Sequence, residues 1–436
     1  MLQLRFHAHA CTSLEHDGQA LLTDPWFDGE VFNRSWALRA KPDLSKIPFD
    51  RLRWVWVSHE HPDHFHLPSL RTIRERVSGP LTLLYRKQEN PNVKRAAESL
   101  GYRVVELSPG VRTPLWGDVA LTSFPFGTDT MVAIEADGRV ILNQNDCRAD
   151  GATIQTVRSR YPDIDVWLFY FSIAGYHGNP DEHARLTAAH DARLAELTHY
   201  FQLLKPRIYV PFASFVVFCR QANDYLNEFS VTVDDVLAHC ANMPVQVLYD
   251  GDRVLWDAWA ERNASKAEQW RAVWRAPRTP LPPRPIADDE LSRAGAALMD
   301  ELEIYPMRLR AQAPGECQVL LRDSGHGAML DLRNARFRLL DKPDDRHIVA
   351  ELDAEDLLFL LRFPWGADTL YISSCFEARD MGRWGQVIAF RHSMYTTPMT
   401  SLDRVKMRVK RADRALFGGS LMRWARNRPR AGAASR

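Results

Sequence analysis

VSHEHPDHFH, residues 57–66, is the stretch whose reading decides the fold. It follows RLRWVW (51–56), an apolar-rich run of strand character that ends where the histidines begin. His59 and His61 are two residues apart, so on an extended segment both imidazoles leave the same side. Pro62 forces a turn, and Asp63 and His64 follow at once. Four metal-competent groups within six residues at a strand end can serve two cations held side by side. His59 and His61 would face one ion, Asp63 and His64 the other. The bland alternative is a polar, histidine-rich loop; four positions in the right strand-to-loop context favour the metal.

At 436 residues the chain has room for two domains and a sizeable core. A hydrophobic share of 45% and a charged share of 25% are ordinary for a soluble globular protein. The net charge of +1 gives no global field to attract nucleic acid or an anionic membrane. Cys11, Cys147, Cys219, Cys240, Cys317 and Cys375 lie far apart and form no CxxC pair. Reduced thiols and a cytoplasmic location are therefore expected, not a disulfide scaffold or a thiolate metal site. MLQLRFHAHA places charge and histidine where a signal peptide needs its apolar core. The longest apolar run, VWLFYFSIAG (166–175), is too short to cross a bilayer.

Residues 2–8, QALLTDPWF, RLRWVWV, LTLLYR and YRVVEL read as strands, with helices at LPSLRTIRERV and PNVKRAAESLG between the later ones. Asp24 is left at a rim where Pro25 stops the ladder. VALTSFPF, TMVAIEA and RVILNQND follow as strands, the last two joined by the turn DGR. A strand over 163–170, a loop SIAGYHGNPDEH, a helix over 182–204 and the strand PRIYVPFASF come next. VQVLYDGDRVLW looks like a closing hairpin. Short sheet segments and amphipathic helices suit an α/β sandwich of two sheets covered by helices.

The expected first domain is 1–271, and a proline-rich linker spans 272–290. A smaller α+β domain fills 291–400, opening on the helix ELSRAGAALMDELE. Strands CQVLLRD, GAMLDLR and RFRLL follow it, then an apolar helix and a closing strand in ELDAEDLLFLLRFPWGADTLYIS. That order loosely resembles a sterol-carrier-protein-like domain, which implies an apolar ligand or an oligomer contact; a plain packing domain explains it equally. The tail 401–436 is basic, with Lys410, Arg411, Arg414, Arg423, Arg426, Arg428 and Arg430, and reads first as a solvated end.

The HxHxDH arrangement of His59, His61, Asp63 and His64 resembles the signature of the metallo-β-lactamase superfamily, which implies an αββα sandwich. Superfamily members take a bridging carboxylate from a later strand end. Asp146, in ILNQNDC, is the best candidate, against a plain turn aspartate. The usual third histidine is absent, since none occurs between His66 and His177. Asp129, in FGTDT, sits near its place as a substitute ligand or a loop residue. Where the superfamily has Pro-x-His, this chain has VPFASF, with Ala213 at the histidine position. His177, or less so His183, could supply an imidazole from its glycine-rich loop; the plain reading of either is a surface histidine. Fewer imidazoles and more carboxylates shift preference from zinc towards iron or manganese.

HACTSLEHDGQALLTDPWFDGEVFNRSW, SHEHPDHFHLPSL, ILNQNDCRADG and KPRIYVPFASF together resemble, over roughly 5–220, the CMP-N-acetylneuraminate hydroxylase family. Matching positions are His9, Asp24, His59, His61, Asp63, His64 and Asp146. The resemblance implies monooxygenation with electrons from a Rieske centre. None of the six cysteines supplies Rieske ligands, so a separate electron-donor protein or small reductant is expected. The sugar-nucleotide substrate is not carried over. His9 is expected beside the metals, not on them, and Asp24 is expected to orient a ligating imidazole.

The favoured reading is a dinuclear oxygenase with iron as the favoured metal, manganese or zinc as alternatives and dioxygen as co-substrate, acting on a small organic metabolite. Its expected catalytic residues are Asp63, Asp146 and His9. The second is a metal-dependent hydrolase of an ester, lactone or phosphoester, with Asp63 orienting a metal-activated water. A binding protein with a degenerate metal loop comes last, and nucleic acid is an unfavoured partner for want of aromatic–basic interleaving near the site.

Overall fold

The structure, a computed structural model, describes residues 2–88 and 90–396 together with Asp403, Val405, Met407 and Arg408. The arginines and lysine of the expected basic tail fall outside the described residues. The chain divides into two compact units, Met1–Leu281 and Pro282–Arg436.

In the first unit the strands are β1 Gln3–Ala8, β2 Cys11–His16, β3 Gln19–Thr23, β4 Trp36–Leu38, β5 Leu52–Trp56, β6 Thr82–Arg86 and β7 Arg103–Leu107, then β8 Arg112–Trp116, β9 Val119–Phe126, β10 Asp129–Ala136, β11 Arg139–Asn145, β12 Val166–Tyr170, β13 Ile208–Phe212 and β14 Val216–Phe218. Its helices are α1 Leu67–Arg76, α2 Asn92–Ser99, α3 Gly151–Arg160, α4 His183–Leu204, α5 Val233–His239 and α6 Ala260–Arg275. Two six-stranded sheets form, ordered β1-β2-β3-β5-β6-β7 and β13-β12-β11-β10-β9-β8.

Alternation along the strands sorts side chains to two faces. Leu21, Trp56 and Leu84 of the first sheet share a core with Leu121, Met131, Ala133 and Ile141 of the second. Leu22, Val55 and Leu83 instead meet Leu70 and Ile73 of α1 and Val93 and Ala97 of α2. The second sheet is covered by Ile154 and Val157 of α3 and by Leu197 and Leu204 of α4. The first unit is thus the helix–sheet–sheet–helix sandwich of the metallo-β-lactamase fold, followed by a further α+β unit. Burial of each large apolar side chain in these layers contributes about 1.5–3 kcal/mol. Asp137 and Gly138, both with positive φ, make the β10–β11 turn, as DGR predicts.

Three expectations need correction. VQVLYDGDRVLW does not pair with itself. Its backbone bonds to the outer edge of β1 through Phe6 N–H to Asp252 O and Val254 N–H to Leu4 O, and Val245 bridges Tyr209. Covering an exposed sheet edge competes with hairpin closure and wins here. The expected linker is entered by structure from both sides. Residues 272–275 complete α6, whose Trp270 is buried in the core, and the next helix begins at Asp288. DTLYIS, read as a strand, is helical, because a short apolar run fits either state and neighbours decide.

The second unit holds α7 Asp288–Ile304, the short α8 Met307–Arg310, α9 Ala354–Arg362, α10 Gly366–Ser373 and α11 Met381–Thr396. Its strands are β15 Cys317–Leu321, β16 Gly327–Asp331, β17 Arg336–Leu340, β18 Ile348–Leu352 and β19 Phe376–Ala378, ordered β17-β16-β15-β18-β19. No described helix in either unit is long and apolar enough to cross a membrane.

Candidate metal centre

The polar cluster forms where strands of the first unit end. β1 stops before His9, β3 before Asp24, β11 at Asn145 and β13 before Ala213. All four of these residues have left-handed backbones, with φ of 40°, 35°, 45° and 44°. None is glycine, so each conformation costs about 1 kcal/mol or more and is held by its surroundings. The Ala213 N–H donates to His9 O at 2.9 Å, tying the end of β13 to the end of β1.

The loop after β5 carries the motif. The Asp24 N–H bonds to Trp56 O at 2.9 Å, and Asp24 Oδ1 accepts from the Ser58 N–H at 2.8 Å. Asp24 Oδ2 is thereby aimed at His64 Nδ1, 2.9 Å away. Ser58 Oγ lies 2.9 Å from His59 Nδ1 and 3.1 Å from His64 Nδ1, linking the two rings. His59 Nε2 is 2.8 Å from His61 Nδ1.

Two groups of potential ligands result, and both include His64. In one, Asp63 Oδ2 lies 3.2 Å from His9 Nε2 and 3.4 Å from His64 Nε2. In the other, Asp146 Oδ2 lies 3.5 Å from His64 Nε2, and Asp146 Oδ1 lies 3.9 Å from His59 Nδ1. His9 Nδ1, Asp63 Oδ1, His64 Nε2 and Asp146 Oδ1 are buried without a hydrogen-bond partner. Buried polar atoms are rarely left so, and four together suit a site built to receive cations.

Charge points the same way. Burial opposes the charged form of His64, but the carboxylates of Asp146, Asp63 and Asp24 outweigh it and raise its pKa well above the usual value. Burial would likewise raise Asp63 and Asp146. The charge of His64, with the hydrogen bond from His9 to Asp63 and the charge of His59 near Asp146, holds both well below the carboxylate range. Burial and the neighbouring His64 lower the pKa of His59. The carboxylates of Asp24, Asp63 and Asp146 are gathered within one cluster, an arrangement whose like-charge cost divalent cations would reduce.

The remaining expected residues are placed less simply. His61 stands beside His59 but belongs to neither group. Asp129 opens β10, where its Oδ1 accepts from Thr128 Oγ1 at 3.1 Å, and lies outside both groups, although its charge reaches His59. The hairpin turn it serves sets its direction. His177 is not brought to the cluster: its Nε2 bonds to Ala174 O at 3.1 Å, and the charges acting on it are Arg148 and Arg185. His183 opens α4 with its ring against Phe229, 5.5 Å between centroids. His9, expected only beside the ligands, is itself in a potential ligand group.

Sequence reasoning missed Ser58 and the aromatic wall. The Trp26 ring lies 5.6 Å from that of His9, and the Phe32 ring 5.7 Å from that of His61. The DPW phrase and the position of Ser58 next to the motif were the available signals.

Residues 3–163 match the family described as Beta-lactamase superfamily domain. The chain is 25% identical over 269 residues to the cytidine monophosphate-N-acetylneuraminic acid hydroxylase of Xenopus laevis, covering 58% of this chain and 44% of that protein. It thus spans less than half the length of that relative. Similar solved structures include CmlA, a diiron β-hydroxylase from Streptomyces venezuelae. The TM-score is 0.42 at 15% identity, over 58% of this chain and 54% of that one. Igni18, a metallo hydrolase from Ignicoccus hospitalis, has a TM-score of 0.40 at 17% identity, over 58% and 97%.

Proposed function

We propose that the first unit is a metalloenzyme that holds a pair of metal ions, iron in preference, and hydroxylates a small organic metabolite with electrons from a separate donor. The observation that carries this reading is the gathering of His9, His59, Asp63, His64 and Asp146 around four buried polar atoms without hydrogen-bond partners. The named activity of the sequence relatives supports oxygenation over hydrolysis. The donor set supports iron, since Ala213 offers no imidazole at the end of β13 and carboxylates favour harder ions. Bound there, the ions would supply redox and Lewis-acid chemistry, with dioxygen as co-substrate.

The chain's own residues have separable tasks. Asp63 and Asp146 carry the charge that holds the cations, one in each potential ligand group, and His64 is shared by both groups. His64 is fixed by Asp24, and His59 by Ser58. Trp26 and Phe32 form an apolar wall beside His9 and His61 that limits water near the reacting groups. Hydrolysis of an ester, lactone or phosphoester is the second reading. It is favoured by Asp63 Oδ1, a buried carboxylate oxygen with no hydrogen-bond partner that can orient a water.

The test is elemental analysis of the full chain purified from iron-replete cells, with a visible spectrum recorded before and after oxygen is admitted. About two irons per chain and an oxygen-dependent spectral change are expected. Stoichiometric zinc with turnover of an ester or phosphoester would establish the hydrolase instead, and a metal-free protein would sink both.

A further inference from the structure

A cavity in the first unit lies away from the metal centre, alongside the outer edge of β1. It has a volume of about 250 Å³, and its lining includes Arg5, Asp252, Arg253, Trp259, Arg262 and Lys266. Arg5 precedes His9 by four residues, roughly 13 Å along an extended strand. The segment that takes the place of the expected hairpin builds this cavity by laying Arg253 directly across from Arg5 in an antiparallel bridge.

Like charges placed directly opposite across a ladder destabilise it. The local acids do not offset this pair. Asp252 is committed to Lys266, 2.8 Å away, and to the Tyr249 N–H at 2.8 Å. Glu15 lies 3.8 Å from Arg5 and is shared with Arg51 at 3.2 Å. Arg253 and Arg262 have no ion-pair partner among the described residues. Arg5 donates Nη1 to Gly251 O at 2.8 Å, while its Nε is buried with no partner at all. Of the residues just named as lining, four are cations and one is an acid, leaving three positive charges (4 − 1 = 3) around one concave space. A concave surface of one sign focuses its field and concentrates the opposite ion.

We propose that this cavity binds the phosphate end of a small molecule. Arginine presents paired donors that match phosphate oxygens, and a phosphate monoester carries about −1.5 to −2 charge at neutral pH. The volume falls just below the roughly 300 Å³ at which pockets for whole drug-sized ligands begin. It therefore takes a phosphate or pyrophosphate group, with any attached ring resting on the Trp259 indole. This site is independent of the metal centre and of the reaction assigned to it.

The test is calorimetric titration of the metal-loaded full chain with inorganic pyrophosphate and, separately, with adenosine monophosphate. Saturable submillimolar binding of at least one is expected, weakened roughly tenfold or more in R253A/R262A. Both side chains are exposed, so the double variant should keep the wild-type fold and metal content, checked by circular dichroism and elemental analysis. A Trp259→Ala variant that weakens only the nucleotide identifies an organic phosphate ester; one that weakens neither identifies free inorganic phosphate. The proposal is overturned if neither probe binds saturably. It is also overturned if R253A/R262A binds as tightly as wild type, or if Asp146→Ala abolishes binding and so places the probe on the metals.

Discussion

Asp24 Oδ2 and His64 Nδ1 face each other at 2.9 Å, and neither side chain is reached by solvent. A carboxylate in that position can only accept, so it fixes the tautomer of His64 and leaves Nε2 directed at Asp63 and Asp146. Removing the carboxylate should loosen the ring without removing a ligand. Asp24→Asn is therefore expected to weaken metal affinity about 10–100-fold by chelator competition. Wild-type affinity in this variant would show that the contact orients nothing of consequence.

His64 belongs to both potential ligand groups, whereas His9 and Asp63 belong to one and His59 and Asp146 to the other. His64→Ala should therefore lower total metal content more than His9→Ala does. Asp146→Ala should also lose metal, and full retention there would show that it is not the bridging carboxylate. His177→Ala should leave metal content unchanged, because that ring is bonded to Ala174 O away from the cluster. Selective loss of one ion from the His177 variant would return it to the ligand set.

The gathering of potential ligands in the loop at 57–66 was legible because its information is local. Strand, proline and the spacing of His59, His61, Asp63 and His64 lie within a dozen residues, and Asp24 and Asp146 follow from strand ends. The place of His9 among the potential ligands was not legible, since it depends on the end of β1 meeting a loop 54 residues further on. His177 failed for the converse reason: a histidine on a glycine-rich loop satisfies a ligand pattern in sequence, while its direction is set by a backbone carbonyl three residues away. The layers were legible from period-two burial, but the edge-covering segment at 251–254 was not. Its turn signals fit a hairpin equally well, and the competing partner was the far-off β1.

Two histidines near the rim make the metal-free protein sensitive to acid. Burial, reinforced by the positive charges of Arg5 and Lys46, pushes the His7 pKa down to about 3. Burial also lowers His66 to about 4, although Asp63 and Asp28 oppose it. In the unfolded chain both titrate near 6.5. Above that pH neither state is protonated and they contribute no pH dependence. Below it the unfolded chain takes up protons that the folded one refuses, so stability falls, by at most roughly 1.4 kcal/mol per pH unit for each histidine. His64 has the opposite shift, and its contribution is already complete below about 6.5. Urea unfolding of chelator-treated protein between about pH 6.5 and 4 should show a shallower pH dependence in His7→Gln than in wild type. Equal slopes would mean that His7 is protonated in the folded chain.

In the second unit the sign of a familiar substitution should reverse. Gly295 lies in the interior of α7, where alanine normally gains about 1 kcal/mol over glycine. A Cβ at this position would stand 2.1 Å from Phe337 Cδ1 on β17, far inside van der Waals contact. The ring cannot yield by bending a flexible end, so α7 and β17 must separate or Phe337 must leave its rotamer. Either response costs about 1–3 kcal/mol, more than the helix gains. Gly295→Ala should therefore speed amide hydrogen exchange in α7 and β17 of the full chain. Adding Phe337→Ala removes the obstacle, so the second substitution should be less damaging in the Gly295→Ala background than alone, a coupling of opposite sign to that of a favourable contact. Slower exchange in Gly295→Ala would show that helix propensity outweighs the clash and that β17 is not held against α7 at this point.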